Sequence, residues 1–328
     1  MSKSIIALIA LSLAFSVSGC QADSSNSEES MVSPVEPQST QNEEPDEDSE
    51  TSAEENLDST PEPSWKIGEF TPVAPEGVSA HLAKTESGYR LAYGSYNAGG
   101  WVISECTESW DCQPTGTLDR VADLTVVTLS SGDLRAYFVE INPENKQKEI
   151  FTAQISEDWL SLTNRESLGF NDGGQMAWGV PDAVVTPDGL VRIYWVVPGD
   201  GMANERVISA TSKSPAGIEF ELDEGNRLTG GYVDFEVVRA EAGNWLALAS
   251  SSPEGLPKTP QGLFVATSGD GISWEVDERS LTPSDMSYLD PTAVLNSTDE
   301  MEIIISRGSN DLGDRSYELV RARMISLD

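Results

Sequence analysis

Basic residues are scarce in this chain of 328: 20 Lys and Arg stand against 55 Asp and Glu, a formal net charge of −35. That balance argues against nucleic acid as a partner, because phosphate binding needs clustered basic side chains. It argues equally against docking on anionic lipid through a polybasic segment. There is one histidine, His81. Multi-His metal sites are excluded, and a Ser-His-Asp triad would have to run through His81. Three cysteines are too few for a four-Cys zinc site or iron–sulfur cluster. Long stretches with 3.6-residue apolar periodicity are missing too, which excludes a helical bundle. The length allows one large domain or two small ones.

What is present begins with an address. Lys3 precedes an apolar run from Ile5 to Val17, of signal-peptide length and short for a membrane span. The run ends Val17-Ser18-Gly19-Cys20, which resembles the lipobox of bacterial lipoproteins. The resemblance implies that Cys20 is lipidated and becomes the mature N-terminus, anchoring the protein in the cell envelope and facing outside the cytoplasm. Gln21 in place of Asp implies the outer membrane in a Gram-negative cell. Residues 21–64 carry 14 acidic side chains and no Lys or Arg. Such a stretch cannot bury enough surface to offset chain entropy, so it is expected to be a disordered acidic tether. The remainder, residues 65–328, then carries −22; it is expected to be soluble, self-repelling and monomeric.

Residues 65–328 contain repeats. Asp123, Asp182, Asp234 and Asp290 each open a short run rich in β-branched residues, at intervals of 59, 52 and 56. A polar turn follows each run, then a second apolar strand (LRAYFVE, LVRIYWVV, WLALASS, MEIIISR), and a third after a variable loop. Aromatic residues Trp159, Phe220 and Trp274 open an expected fourth strand. Residues 79–110, ending at Trp110, form the same unit without the leading Asp. The fifth unit stops after its third strand, and the missing strand is supplied from the other end: Ser64-WKIGEFTP-72 matches Ser273-WEVDERSLTP-283. This circular match predicts an all-β fold, a five-bladed β-propeller closed by an N-terminal strand. A six-bladed count is the rival; a β-sandwich does not account for the match. Cys106 and Cys112 frame a short loop and are left as the one available disulfide once Cys20 is acylated.

The inner-strand starts of a propeller face one mouth of its channel. The four Asp residues fall there, with Trp178, Tyr232 and Tyr288 just upstream of Asp182, Asp234 and Asp290; in the first unit Ser79 and His81 take that place. Flat rings beside carboxyl groups suit sugars. An Asp in this position also has a plainer use, accepting backbone N–H groups to lock one blade to the next. The five repeats, Asp290-Pro291 and the Ser268-Gly-Asp-Gly-Ile-Ser-Trp274 turn resemble the five-bladed propellers of glycoside hydrolase families 32 and 43, and the turn is similar to the Asp-box of sialidases with one residue fewer. That resemblance implies a base and a pKa modulator drawn from Asp123 and Asp182, and Glu236 as the acid. It departs from those families in lacking the first-blade Asp. The trio of converging Arg residues that sialidases need is not identifiable either.

Three readings follow. The first is an envelope lipoprotein whose propeller binds a glycan or other extracellular ligand at its mouth without turnover, in keeping with the missing first-blade Asp. There Trp178, Tyr232, Asp234, Tyr288, Asp290 and His81 would form the binding surface. The second is a glycosidase using Asp123, Asp182 and Glu236. The third is a non-catalytic interaction scaffold. No cofactor is expected. Calcium is chemically allowed in an acidic channel, but no EF-hand-type loop supports it, and no metal ligand set is assigned.

Overall fold

The computed structural model describes residues 64–171, 175, 177, 179–198, 205–251, 260–309 and 316–327. The leader with Cys20, the tether up to residue 63 and Trp178 lie outside the described residues. Every regular element among the described residues is a strand.

Two short strands, β1 (Trp65–Ile67) and β2 (Thr71–Ala74), precede four complete units. Blade 1 is β3 (Val78–Thr85), β4 (Gly88–Ser95), β5 (Gly100–Thr107) and β6 (Cys112–Leu118). Blade 2 is β7 (Ala122–Thr128), β8 (Leu134–Ile141), β9 (Lys148–Ile155) and β10 (Leu162–Ser167). Blade 3 is β11 (Gly179–Val185), β12 (Val191–Val197), β13 (Arg206–Ser212) and β14 (Phe220–Leu222). Blade 4 is β15 (Tyr232–Glu241), β16 (Asn244–Ser251), β17 (Gly262–Ser268) and β18 (Trp274–Val276). Blade 5 has β19 (Ser287–Ser297), β20 (Glu300–Gly308) and β21 (Tyr317–Ser326), and its outer strand comes from the N-terminal end of the domain. Trp65, Lys66 and Ile67 pair antiparallel with Ser326, Ile325 and Met324, and β2 pairs with the first half of β21. The predicted five-bladed propeller and its circular closure are both present.

The strands are apolar almost without alternation because each blade is covered on both faces. On β12, Ile193 and Trp195 face blade 2 while Tyr194 and Val196 face blade 4. The core is accordingly five apolar clusters, one in each seam between neighbouring blades. The first strands of the blades contact each other around the axis, β3 against β7 and β19, and β11 against β7 and β15.

All five inner strands begin with a register break against their partner: between Val78 and His81, Ala122 and Thr125, Gly179 and Asp182, Val233 and Phe235, Leu289 and Thr292. At these breaks Ser79, Asp123, Asp234 and Asp290 adopt φ of 47–51°. Asp tolerates the left-handed region better than most side chains, because its short polar group can hydrogen-bond locally. That is one physical reason why Asp recurs at blade starts.

Cys106 and Cys112 are disulfide-bonded directly opposite each other in the β5–β6 ladder, with Cα atoms 3.9 Å apart. The bond closes a short turn. On chain-entropy grounds it contributes about 2 kcal/mol or less.

Closure depends on Trp65, which is 6 % exposed and packs in the seam between blades 4 and 5. Trp65→Ala is expected to lower the unfolding free energy by about 3–5 kcal/mol, read as a lower urea midpoint. A loss under about 1 kcal/mol would mean that the N-terminal strand does not anchor the ring.

Candidate functional site

The register breaks sort the channel residues into two tiers. Ser79, Asp123, Val180, Asp234 and Asp290 stand at equivalent places at the mouth. Two residues further along each inner strand come His81, Thr125, Asp182, Glu236 and Thr292, which pair across the sheet with Ala92, Tyr137, Tyr194, Leu248 and Ile304. This corrects one expectation from the sequence. Asp182 is not the blade 3 counterpart of Asp123, Asp234 and Asp290; it belongs to the lower tier beside Glu236, and Val180 holds the upper position. Counted through Val180, the repeat intervals become 57, 54 and 56 residues, more even than those counted through Asp182.

The lower tier is a closed ring. Each side chain accepts the backbone N–H of the residue that follows its counterpart in the next blade. His81 Nε2 accepts from Val126 N at 3.1 Å, and Thr125 Oγ1 from Ala183 N at 3.4 Å. Asp182 Oδ2 accepts from Val237 N at 2.7 Å, Glu236 Oε1 from Ala293 N at 3.4 Å, and Thr292 Oγ1 from Leu82 N at 3.1 Å. Hydroxyls reinforce it: Thr292 donates to Glu236 Oε1 at 2.9 Å, and Thr125 to Asp182 Oδ1 at 3.5 Å. The upper tier repeats the device in part. Asp290 Oδ2 accepts from Ser79 N at 3.1 Å and from the Ser306 hydroxyl at 3.2 Å, and Asp234 Oδ2 accepts from Asp290 N at 3.3 Å. Asp123 accepts from Val180 N and the Ser79 hydroxyl.

The carboxyl groups form two hydrogen-bonded pairs, one per tier. Burial, then the Asp182 charge, pushes Glu236 well above the usual range, and its proton is donated to Asp182. Burial raises Asp182 to about 6, with its hydrogen bonds opposing. Burial, then the Asp290 charge, pushes Asp234 well up, and its proton goes to Asp290. Asp123 has no carboxyl partner; burial, then the Asp290 charge, raises it to about 6, while Lys148 pulls it back. His81 is driven down to about 4 by burial. It is therefore neutral at pH 7, as its acceptor role at Nε2 requires.

The expected binding surface is only partly assembled. Asp123, Asp234 and Asp290 are half-buried at the mouth. Asp182 and Glu236 are 3 % and 9 % exposed and engaged in cross-blade hydrogen bonds. The expectation that Tyr288 stacks on a ligand is not met: it is buried and stacks on Phe70, with centroids 5.0 Å apart. The break after Leu289 interrupts the alternation that would have put Tyr288 beside Asp290. Tyr232 is half-buried, edge-on to Phe264. His81 is buried and stacks on Trp159. Trp110 and Trp159 sit in the turn before the fourth strand, at the place of Gly217 and Gly271, and do not open that strand as Phe220 and Trp274 do. A Cβ at Gly217 would lie 2.3 Å from the Tyr137 hydroxyl. In blade 1 Ala92 replaces that tyrosine and leaves the space that Trp159 fills.

Sequence reasoning passed over Thr125 and Thr292, although their signal is legible: Ser79-x-His81, Asp123-x-Thr125, Asp234-x-Glu236 and Asp290-x-Thr292 share one spacing. It also passed over the rim. Tyr96, 64 % exposed, stands on the β4–β5 loop at the mouth end. Glu76 holds that loop by accepting from Asn97 N at 2.8 Å and the Ser95 hydroxyl at 3.0 Å. On blade 2, Glu149 accepts from Asn142, Asn145, Ser167 and Asn171. Burial pushes its pKa up, but these donors outweigh that and hold it below the usual range. The Ser268–Asp270 turn is a hairpin device at the opposite end, where Asp270 Oδ1 accepts from Ile272 N and Ser273 N.

No known family profile matches the chain, and no curated protein matches it. Solved structures do. A family 117 glycoside hydrolase of the marine bacterium Zobellia galactanivorans aligns at TM-score 0.58 and 13% identity, over 80% of this chain and 92% of that one. An endo-arabinase of Bacteroides thetaiotaomicron aligns at TM-score 0.55 and 12% identity, over 80% and 98%. The catalytic domain of a Coprinopsis cinerea GH62 α-L-arabinofuranosidase aligns at 0.52 and 11%, over 80% and 96%. At these identities the likeness establishes a shared fold, that of carbohydrate-active five-bladed propellers.

The raised carboxyls make a signed prediction. Asp182 titrates near 6 folded and near 3.9 unfolded, so its contribution is fully present below about pH 4 and is lost as pH rises through 6. The shift corresponds to about 3 kcal/mol. Asp123, Asp234, Glu236 and Asp290 act in the same direction. His81 acts oppositely: its contribution is present above about 6.5 and lost as pH falls toward 4, again about 3 kcal/mol. Five groups outweigh one, so Tm should rise on acidification from pH 7.5 to 5, and more steeply in His81→Gln. A Tm that falls over that interval would contradict the assignment.

Proposed function

We propose that the protein is a lipid-anchored envelope glycoside hydrolase that acts on glycans at the mouth of its propeller channel. The observation that carries the catalytic reading is the upper tier. Burial pushes Asp234 well above the usual carboxyl range and raises Asp290, and this pair lies at the same mouth as Asp123, a separate carboxyl titrating near 6. Glycosidic cleavage needs one protonated and one ionised carboxyl flanking the scissile bond. In this assignment Asp234 donates the proton to the leaving oxygen, Asp290 tunes it, and Asp123 activates water or attacks the sugar.

Asp182 and Glu236, the partners suggested by family resemblance, serve beneath as a lock. Asp182 accepts from Val237 N of blade 4 and the Thr125 hydroxyl of blade 2, Glu236 accepts from the Thr292 hydroxyl and Ala293 N of blade 5, and the Glu236 proton is directed at Asp182. Tyr96 offers the exposed ring on which a sugar face would stack. The fold shared with arabinan-processing enzymes supports furanoside polymers as first substrates. The lipobox and tether support display outside the cytoplasm.

The test is hydrolysis of arabinan, other glycans and aryl glycosides by the full chain. Asp123→Asn and Asp234→Asn should each lower kcat by at least about a hundredfold. Glu236→Gln should keep both turnover and Tm, because a Gln amide donates to Asp182 as the protonated acid does and its Oε1 still accepts from Thr292. Tyr96→Ala should raise KM severalfold with kcat little changed. Loss of turnover in Glu236→Gln with Tm intact would return the acid role to Glu236. No wild-type turnover on any substrate, with the fold intact, would leave binding without catalysis as the reading.

A further inference from the structure

One cavity lies away from the mouth. At the opposite end of the ring, in the seam between blades 1 and 5, is a space of about 290 Å³ lined by Lys84, Gly88, Tyr89, Glu108, Asn296, Glu302 and Arg323. That volume is at the small end of ligand pockets. Its walls come from the two ends of the chain. Blade 1 gives Lys84, Tyr89 and Glu108; blade 5 gives Asn296, Glu302 and Arg323.

Each wall carries one cation and one acid. Glu302 is 2 % exposed, yet its Oε2 has no hydrogen-bond partner; the nearest cation is the Arg321 guanidinium at 3.5 Å, which also covers the Trp110 ring. Arg323 lies 3.3 Å from Glu302 Oε1 and 3.6 Å from Glu300, with its side chain 59% exposed. Lys84 and Glu108 make no hydrogen bond or ion pair with any described residue. A desolvated carboxylate oxygen without a donor is costly to maintain. The wall bearing Glu108 is also fixed. Tyr89 stacks on Trp110 at 4.4 Å, and the Cys106–Cys112 disulfide closes the turn that holds Glu108. Gly88 brings its backbone so close to that turn that a Cβ would lie 2.2 Å from the Cys106 carbonyl.

A simple anion would meet Lys84 and Arg323 but be repelled by two carboxylates, within a domain that is acidic overall. A simple cation would leave Lys84 unmatched and compete with Arg323 for Glu302. The geometry points to a small zwitterion as ligand, an amino acid or short peptide. Its ammonium would go to Glu302 and Glu108, and its carboxylate to Lys84 and Arg323. Such a ligand would bridge the first and last blades where the ring closes. Its binding would therefore raise Tm by mass action. The site is independent of the mouth and of the glycosidase reading.

The experiment is calorimetric titration of the full chain with L-alanine and L-alanyl-L-alanine, with acetate and methylammonium as half-ligands, beside Tm scans at the same concentrations. The zwitterions should bind with Kd on the order of 1 mM and raise Tm, with each half-ligand at least about tenfold weaker. Lys84→Met and Glu108→Gln change exposed side chains and should fold normally while weakening the zwitterions about tenfold. No binding up to about 50 mM, equal binding of a half-ligand, or unchanged affinity in both variants would overturn the proposal.

Discussion

The structure depends on a ring of five hydrogen bonds around the channel, in which a polar side chain from each inner strand takes a backbone N–H from the next blade. Five sheets packed face to face around an axis leave inner-edge amides with no sheet partner. Away from water each would cost about 1–3 kcal/mol unpaired. The side chains that satisfy them differ in chemistry, one imidazole, two hydroxyls and two carboxyls, but they occupy one geometric position. The bulge at the start of each strand places that position by resetting the alternation behind it, and in four of the five it turns the upper residue left-handed.

This requirement shapes the acid chemistry. A carboxyl recruited to accept an amide is buried, and burial favours its neutral form. Where two recruited carboxyls are adjacent, as in Asp182–Glu236 and Asp234–Asp290, one keeps its proton and donates it to the other. The pairing lets the ring hold five carboxyls in ten positions. Where the sequence places Thr125, Thr292, Ser79 and His81 between them, the run of acids is broken by neutral groups. In the upper tier, which opens to the mouth, the same arrangement brings a pair of raised carboxyls and a separate ionisable group to one place. In the function proposed above, the structural device and the acid–base site are the same residues.

The fold was legible because its main evidence is combinatorial: five similar units, and the missing outer strand of the last found at the start of the first, Trp65 matching Trp274. No packing detail was needed for that inference. The site was less legible because the repeats were aligned on residue type. Asp182 looks like Asp123, Asp234 and Asp290, but the bulge puts it two positions further along, and the equivalent upper residue is the apolar Val180. The even spacing through Val180 and the recurring two-residue step from Asp or Ser to Thr, Glu or His both carried the right register. Tyr288 was misplaced by the same bulge. Trp159 shows a different limit. Its position depends on Ala92 of another blade being small, a relation that no local pattern expresses.

Ring closure imposes its own asymmetry. Four blades are each built from contiguous sequence; the fifth joins β1 and β2 to β21, so its outer edge forms only when the chain ends meet. The lower ring is uncharged across this seam, where Thr292 accepts from Leu82 N, whereas the seam between blades 3 and 4 is bridged by an acid pair. A hydroxyl link does not titrate, so the lower-tier bond across the join is unchanged by pH, whereas the upper-tier bond there is made by the titratable Asp290, which accepts from Ser79 N. Blade 1 likewise brings Ser79 in place of Asp. Asp123, one blade on, is the mouth carboxyl outside the pairs. The neutral first blade thus fits a chain whose two acid pairs lie at the seams on either side of blade 4.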